Sequence, residues 1–330
     1  MEREYIRKGR SEELLTALEL LKYRYFGKVW FVYEGLTPAT GYSIFIREDL
    51  YSTQFTTEAA TDVPNGDFSQ IHETINIGSI NTGGQYSITL GGTHQNKSSI
   101  RIDEPDSWAS INSKTCYLNS HPLNTWFVVP STYVLNGEVV IRNVAYDHNG
   151  TLPGVDSRGA AGRGKYYSTK SPSTFGARAA GELFLGSYSY DGNESRVDGF
   201  NFTSRPASLT FQYRYVPKGN DSDKGSVVVE ICGEDDKVLA SASVNLSKAE
   251  TMTETTMKIT GYDVFGEKAT KIKICFKSSV ASSPATITPS GSGLDDINNA
   301  YGADNTIATN EYKALSTGSE LVIDNVKLNY

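Results

Sequence analysis

The sequence predicts an all-β protein built on a two-sheet β-sandwich over residues 63–330. Three observations predict it. In SLTFQYRYV, Leu209, Phe211, Tyr213 and Tyr215 alternate with Thr210, Gln212 and Arg214, the period of a strand with one buried face. KIKICFK sets Lys271, Lys273 and Lys277 opposite Ile272, Ile274 and Phe276, as an antiparallel sheet with one wet face requires. The composition agrees: 20 Tyr and 13 Phe against 3 Met and 3 Trp in 330 residues, a balance that suits strands better than helices. No helical segments alternate with the strands, which excludes a parallel α/β sheet.

Residues 12–23 (EELLTALELLKY) place Leu14, Leu15, Leu18 and Leu21 at helical spacing behind Ser11, a fitting N-cap; they predict one N-terminal helix. The strands KVWFVYE, YSIFIRE and STQFTTE follow, with the turn GLTPATG between the first two. A composition change at Ala59–Pro64 marks a linker and divides the chain into 1–62 and 63–330. Between 65 and 180, a stretch rich in Gly, Asn and Ser, only YSITL, TWFVVP and EVVIRNVAY read as strands. Beyond Gly181 the pattern sharpens through SLTFQYRYV, SVVVEIC, KVLASASVNL, TTMKITGY, TKIKICFK and ELVIDNVKL. Residues 278–318 read as a long irregular insertion, a length that is usually functional or mobile.

The chain carries 31 Lys+Arg against 38 Asp+Glu, a net charge of −7. That is the wrong sign for a nucleic-acid binder, which needs a basic footprint. No run of 18 apolar residues predicts a membrane-spanning helix. The start lacks the apolar core of a signal peptide, so the chain is expected either to stay inside the cell or to begin downstream of its natural N-terminus. Three cysteines are too few for a disulfide framework. Cys232 and Cys275 read as buried apolar residues in strands, with a bridge between them left open.

The four histidines, His72, His94, His121 and His148, show no ligand spacing, which argues against zinc. Gly159–Lys165 matches the first part of a phosphate loop, but Tyr166 stands where Ser or Thr is needed and no helix can follow. Asp147, Glu182, Asp191, Glu194 and Asp198 gather around the central loops. Two such acids facing across a sugar would make a glycoside hydrolase; acids on solvated turns are the ordinary alternative. Calcium wants six to eight oxygens, and three places offer some: Asn220–Asp223, Asp295–Asn305, and the pair Asp67 in NGDF with Asp324 in IDNV. The last pair shares an ion only if the first and last strands of the sandwich are neighbours. Trp126, Tyr166, Tyr188 and Tyr190 are candidate sugar-stacking rings, and Arg196 accompanies the last two in sequence. Loops around Trp126, 147–167, 187–198 and 295–305 would form the ligand surface.

Two resemblances add to this reading. GLTPATGYSIFI, with Leu36, Pro38, Thr40 and Tyr42, followed by FTTEA, resembles the last strands of a fibronectin type III-like module, in which a Tyr anchors a strand corner. The first strands of such a module are missing from 1–27, so 1–62 is expected to be a partial module. GELFLGSYSYDG, FTSRPASLTFQYRYVP, KICFKSS and GSELVIDNVKLNY, in that order, resemble the carbohydrate-metabolism domain family of gut Bacteroidetes surface proteins. NGDF and IDNV also resemble the bracketing ends of carbohydrate-binding jelly rolls, between which a calcium often sits; the acid that usually follows the Phe is Ser69 here. The resemblance implies a jelly-roll sandwich in a glycan-utilisation system, and brings no catalytic residues with it. It implies a surface lipoprotein or periplasmic protein that binds a polysaccharide or oligosaccharide, with other outer-membrane glycan-utilisation proteins as partners. The expectation is thus a non-catalytic carbohydrate-binding protein with a structural calcium. A structural or adhesive surface protein is the first alternative, and a glycoside hydrolase with a carboxylate pair the second.

Overall fold

The structure is a computed structural model. It describes residues 5–8, 14–15, 21–25, 28–32, 36–46, 51–77, 86–90, 93–97, 100–116, 126–128, 130–146, 155–156, 165–166, 177–218, 220–262, 267–281 and 317–330. The first strands are β1 (Tyr5–Lys8), β2 (Leu14–Leu15), β3 (Leu21–Tyr25), β4 (Lys28–Val32), β5 (Gly41–Ile46) and β6 (Tyr51–Thr56). Then come β7 (Ile71–Ile77), β8 (Tyr86–Leu90), β9 (Thr93–Lys97), β10 (Ile100–Pro105), β11 (Trp108–Ser110) and the short helix α1 (Asn112–Thr115). The middle of the chain holds β12 (Trp126–Val128), β13 (Thr132–Leu135), β14 (Glu138–Tyr146), β15 (Val155–Asp156), β16 (Lys165–Tyr166) and β17 (Ala177–Ala179). The last third holds β18 (Glu182–Tyr190), β19 (Glu194–Asp198), β20 (Phe200–Asn201), β21 (Ser208–Val216) and β22 (Gly225–Cys232). It closes with β23 (Val238–Leu246), β24 (Ala249–Lys258), β25 (Lys271–Lys277) and β26 (Thr317–Asn329).

The helix expected over 12–23 gives way to strands at both its ends, Leu14–Leu15 and Leu21–Tyr25. Leu21, Tyr23 and Tyr25 alternate with Lys22 and Arg24, a period of two that the leucine spacing hid. An isolated helix of about 12 residues is marginal in water, whereas here a hairpin sets Tyr25 opposite Lys28 and satisfies the backbone. Strands also occupy the region where the fibronectin-like pattern lacked them: the first sheet runs β2-β1-β5-β6, with Ile6 opposite Ile44. The corner expected of Tyr42 is built. Its hydroxyl accepts a hydrogen bond from the Thr37 N–H at 2.7 Å, and its ring stacks on Phe55 at 5.7 Å.

Two antiparallel sheets form the sandwich. One runs β11-β18-β25-β22-β23, with β19 on β18 and β20 on β25; the other runs β13-β14-β26-β21-β24, with β17 on β14. Leu183, Leu185, Val227, Val229, Ile231, Ile272, Ile274 and Phe276 of the first meet Val139, Ile141, Leu209, Phe211, Tyr215, Leu321 and Ile323 of the second. Phe211 meets Phe276 edge-on at 5.2 Å, and Trp108 tilts against Phe276 at 6.2 Å. Each such side chain contributes roughly 1.5–3 kcal/mol by leaving water. Cys232 and Cys275 are both free thiols. Cys275 lies opposite Val228 while Cys232 lies opposite Lys271, so about 13 Å of strand separates them and no bridge can form.

One polar network gathers around Asp223, where strand ends of the two sheets meet. Asp223 accepts hydrogen bonds from Ser279 Oγ and Ser319 Oγ, both at 2.7 Å, from Asn143 Nδ2 at 3.2 Å and from the Lys224 N–H at 2.9 Å. Ser278 Oγ donates to Asn143 Oδ1 at 2.7 Å and accepts from the Gly181 N–H at 2.8 Å. Tyr215 donates to Ser278 O at 3.0 Å. Strand ends from both sheets are thereby tied together, and the partner hydroxyls are buried. The Asn220–Asp223 turn, a calcium candidate, serves this latch: Asn220 Oδ1 accepts from Ser222 N and Oγ, while Asp223 points its oxygens inward.

The stretch before the sandwich is docked rather than loose. Tyr330 OH donates to Thr61 O at 2.6 Å and accepts from Thr61 N at 3.0 Å. Asp62 Oδ1 accepts from Leu328 N at 2.9 Å, and Ser204 Oγ donates to Ala59 O at 2.5 Å.

Candidate functional site

The outer face of the seven-stranded sheet assembles three of the expected site residues. Alternation puts Glu182, Phe184, Gly186, Tyr188 and Tyr190 of β18 on the side away from Leu183 and Leu185. Across the ladder Tyr188 lies opposite Arg196 and Tyr190 opposite Glu194. On the other half of the strand, Glu182 lies opposite Lys277 and Phe184 opposite Cys275. Tyr188 and Tyr190, expected in loops, therefore stand in a strand, and the loop expected over 187–198 is a hairpin with its turn at Asp191–Asn193. Gly186 makes this possible. Its φ is +139°, and a Cβ there would lie 2.0 Å from Val197 O. A residue without a side chain lets β18 leave one neighbour and take another.

Arg196 is the centre of the face. Its Nη1 donates to Glu182 Oε2 at 2.7 Å, its Nε donates to Asp198 Oδ1 at 2.8 Å, and its guanidinium lies 3.8 Å from the Phe184 ring centroid. Lys277 reaches Glu182 Oε1 at 2.8 Å. Burial pushes the Glu182 carboxyl up, but the Arg196 and Lys277 hydrogen bonds and charges outweigh it and hold the group below the usual range. Burial likewise opposes the Arg196 charge, and its two carboxylate partners overcome that and raise it. The Cys275 thiol, half-buried on this face, is pushed up to about 12 by burial and the neighbouring Glu182 charge, which makes it a packing group rather than a nucleophile. At the far end of the hairpin Lys114 from α1 pairs with Glu194 and sits 6.0 Å from the Tyr190 ring centroid. Both tyrosines are half-buried, and the Tyr188 hydroxyl is enclosed.

The other two expected rings stand elsewhere in the chain. Trp126 is in β12, which pairs in parallel with β8, and Tyr166 is in β16, paired with β15. The side chains of both lie outside the described residues, as do Asp147, 159–164 and 295–305. Sequence reasoning named Glu182, Glu194 and Asp198 as candidate acids, and here each is tied to a cation. Phe184 and Lys277 were not foreseen as site residues. The alternation of lysines along β25 was the signal for Lys277, and Phe184 carried none, because it is buried beneath Arg196 and reads as core.

Asp67 and Asp324 are neighbours. The Asn65–Phe68 turn is pinned to β26 by the Val326 N–H donating to Gly66 O at 2.8 Å. A Cβ on Gly66 would fall 2.1 Å from Val326 O, so the contact requires glycine. Burial first, and the Asp67 charge in addition, raise the Asp324 carboxyl. Asp67 itself is exposed, and its Oδ1 accepts from Ser69 N at 3.2 Å and Ser69 Oγ at 3.0 Å, which lowers it. Asp324 accepts from Asn325 N and Nδ2 at 2.7 and 2.8 Å. Among the described residues no third acid joins the pair. Calcium there would complete its shell with carbonyls and water; the mutual repulsion of two carboxylates is what such an ion would relieve.

A cleft of about 500 Å³ lies beside the loop that joins β22 to β23, lined by Glu234, Asp235, Lys237, Glu267, Lys268 and Thr270. Among the described residues that line it there is no aromatic ring on which a sugar could stack.

No protein-family model matches the chain, and no curated protein matches it. Among solved structures it is similar to one described as "CBM4 structure and function", at 11% identity, TM-score 0.27, covering 81% of this chain and 98% of that one. A second is a carbohydrate-binding module of the β-sandwich superfamily, at 11% identity and TM-score 0.25, covering 100% and 86%. A third is a cyclase from Fischerella sp. TAU, at 12% identity and TM-score 0.27, covering 69% and 85%. Likeness at this level carries no ligand across, and the fold rests on the sheets and core described above.

Proposed function

We propose that this chain is a carbohydrate-binding protein that does not cleave its ligand, with its binding surface on the outer face of the seven-stranded sheet. One observation carries the reading: Tyr188, Tyr190 and Arg196 converge on one face with Phe184 and Glu182. Rings beside a fixed guanidinium offer a sugar both an apolar face and directed donors. The acids suit binding better than glycoside hydrolysis. A general acid needs a raised pKa, and the Glu182 carboxyl is held below the usual range between Arg196 and Lys277. Trp126 and Tyr166 are retained in the proposal as further ligand contacts, 1–62 as a partial fibronectin type III-like module, and 63–330 as the binding unit. The sequence resemblance supports placing the protein on the surface or in the periplasm of a gut Bacteroidetes cell, as a lipoprotein of a glycan-utilisation system.

A glycan-array screen of the full chain tests this. Retention of a coherent set of related glycans, lost in Tyr190→Ala at unchanged melting temperature, is the expected result. A blank array transfers the reading to a structural or adhesive protein, for which the half-burial of both tyrosines speaks. Asp67 and Asp324 are proposed as the seat of a structural calcium. Adding calcium to chelator-treated protein should then raise the melting temperature, and the rise should vanish in Asp67→Asn/Asp324→Asn. An identical melting curve in chelator and in calcium removes the ion from the account.

A further inference from the structure

The charges on the proposed binding face narrow its ligand. Five cations stand there among the described residues: Lys114, Arg196, Lys271, Lys273 and Lys277. Five carboxylates meet them. Lys114 pairs with Glu194; Arg196 with Glu182 and Asp198; Lys277 with Glu182; Lys271 and Lys273 with Asp236; and Glu230 lies opposite Lys273 across the ladder. These ten groups therefore sum to no net charge, no further cation stands among them to leave the face positive, and each cation has an anion within reach. An acidic sugar brought to it would lose hydration without meeting an uncompensated positive charge.

Arg196 is nevertheless built to donate. Two carboxylates take two of the five N–H groups that a guanidinium carries, and Phe184 backs one of its faces. The side chain is 31% exposed, and the two carboxylates and the ring hold the rest of the fork in one orientation. A planar fork with two adjacent donors matches two neighbouring hydroxyl oxygens as well as it matches a carboxylate. The local neutrality decides between them.

Resting on the carbohydrate-binding reading, we infer that the ligand is an uncharged glycan, recognised by hydrogen bonds from Arg196 to a pair of adjacent hydroxyls. Selectivity against uronic-acid polymers then comes from Glu182 and Asp198, which cancel the guanidinium charge that such polymers would seek.

The test is affinity electrophoresis of the full chain in gels containing neutral polysaccharides (xylan, mixed-linkage β-glucan, mannan, arabinan) or acidic ones (polygalacturonate, alginate), each at 50 and 500 mM salt. The expected result is retardation by at least one neutral polymer, changed less than about twofold by salt, because no charge is neutralised on binding. Arg196→Lys keeps the charge but not the fork, and should lose at least tenfold in affinity at an unchanged melting temperature. Glu182→Gln leaves the face one charge positive and should gain salt-sensitive retardation by the acidic polymers. Retardation of the parent protein by acidic polymers, weakening as salt rises, overturns the inference while leaving carbohydrate binding intact. So does an Arg196→Lys variant that binds the neutral polymer as the parent does. Retardation by neither set sinks the carbohydrate reading itself and this inference with it.

Discussion

The Asp223 latch and the Arg196 cluster are made of similar groups and behave differently. At the latch one carboxylate gathers two serine hydroxyls, an asparagine amide and a backbone N–H, and its hydroxyl partners are buried between the sheets. At the cluster a guanidinium gathers two carboxylates on an outer face and keeps donors in hand. A buried network that is satisfied contributes through what its loss would leave unpaired. A network at the surface contributes less, since water competes for its exposed members. The first therefore belongs to the fold, and the second is the one the proposed recognition would use.

The strongest way to break that comparison is Asp223→Ala. Ser279, Ser319 and Asn143 would each lose an acceptor inside the protein, at about 1 kcal/mol or more apiece, roughly 3 kcal/mol together. The melting temperature should fall by roughly 6–12 °C with affinity for glycan unchanged in the folded fraction. A fall of less than about 2 °C, near what 1 kcal/mol would produce, would mean that water replaces Asp223 and that the latch is no latch. Tyr215→Phe makes a gentler cut at the same place. It removes only the hydroxyl that donates to Ser278 O, and should cost about 1 kcal/mol, read as a smaller shift in the urea midpoint.

On the opposite side of the comparison, Arg196→Ala should move stability by less than about 1 kcal/mol while abolishing sugar retardation. A large destabilisation would make the cluster a structural element, and the half-buried tyrosines would then be scaffold.

Much of this was legible beforehand, and the reasons it was not elsewhere are physical. The strands β21, β22 and β25 show in sequence because one face is buried and one wet, and alternation follows from that. The strands β7, β9 and β10, with sequences IHETINI, THQNK and IRIDEP, hide because polar residues occupy both sets of positions. The N-terminal leucines misled because helix spacing and strand alternation coincide over short stretches. At the candidate site, Tyr188, Tyr190 and Arg196 were picked out by residue type, and the proximity of Asp67 to Asp324 followed from the two bracketing motifs. Phe184, Lys277 and the latch around Asp223 depend on register across strands far apart in sequence, which no local pattern carries.

The finest distinction between the two networks is their response to acid. Burial raises the Glu182 carboxyl, and the hydrogen bonds from Arg196 and Lys277 more than reverse that, so its folded pKa lies below its unfolded one. A carboxylate depressed in the folded state adds stability that is fully present above the unfolded value, about 4.3, and is lost as pH falls through the folded value. The melting temperature of the parent should therefore exceed that of Glu182→Gln by a small and constant margin from pH 7 down to about 5, and the margin should close at lower pH. Thermal melts of both proteins at half-unit steps would show it. A margin that stays open at pH 3 would mean that Glu182 acts by packing and not by its charge, and with that the charge balance on the proposed binding face would lose its central member.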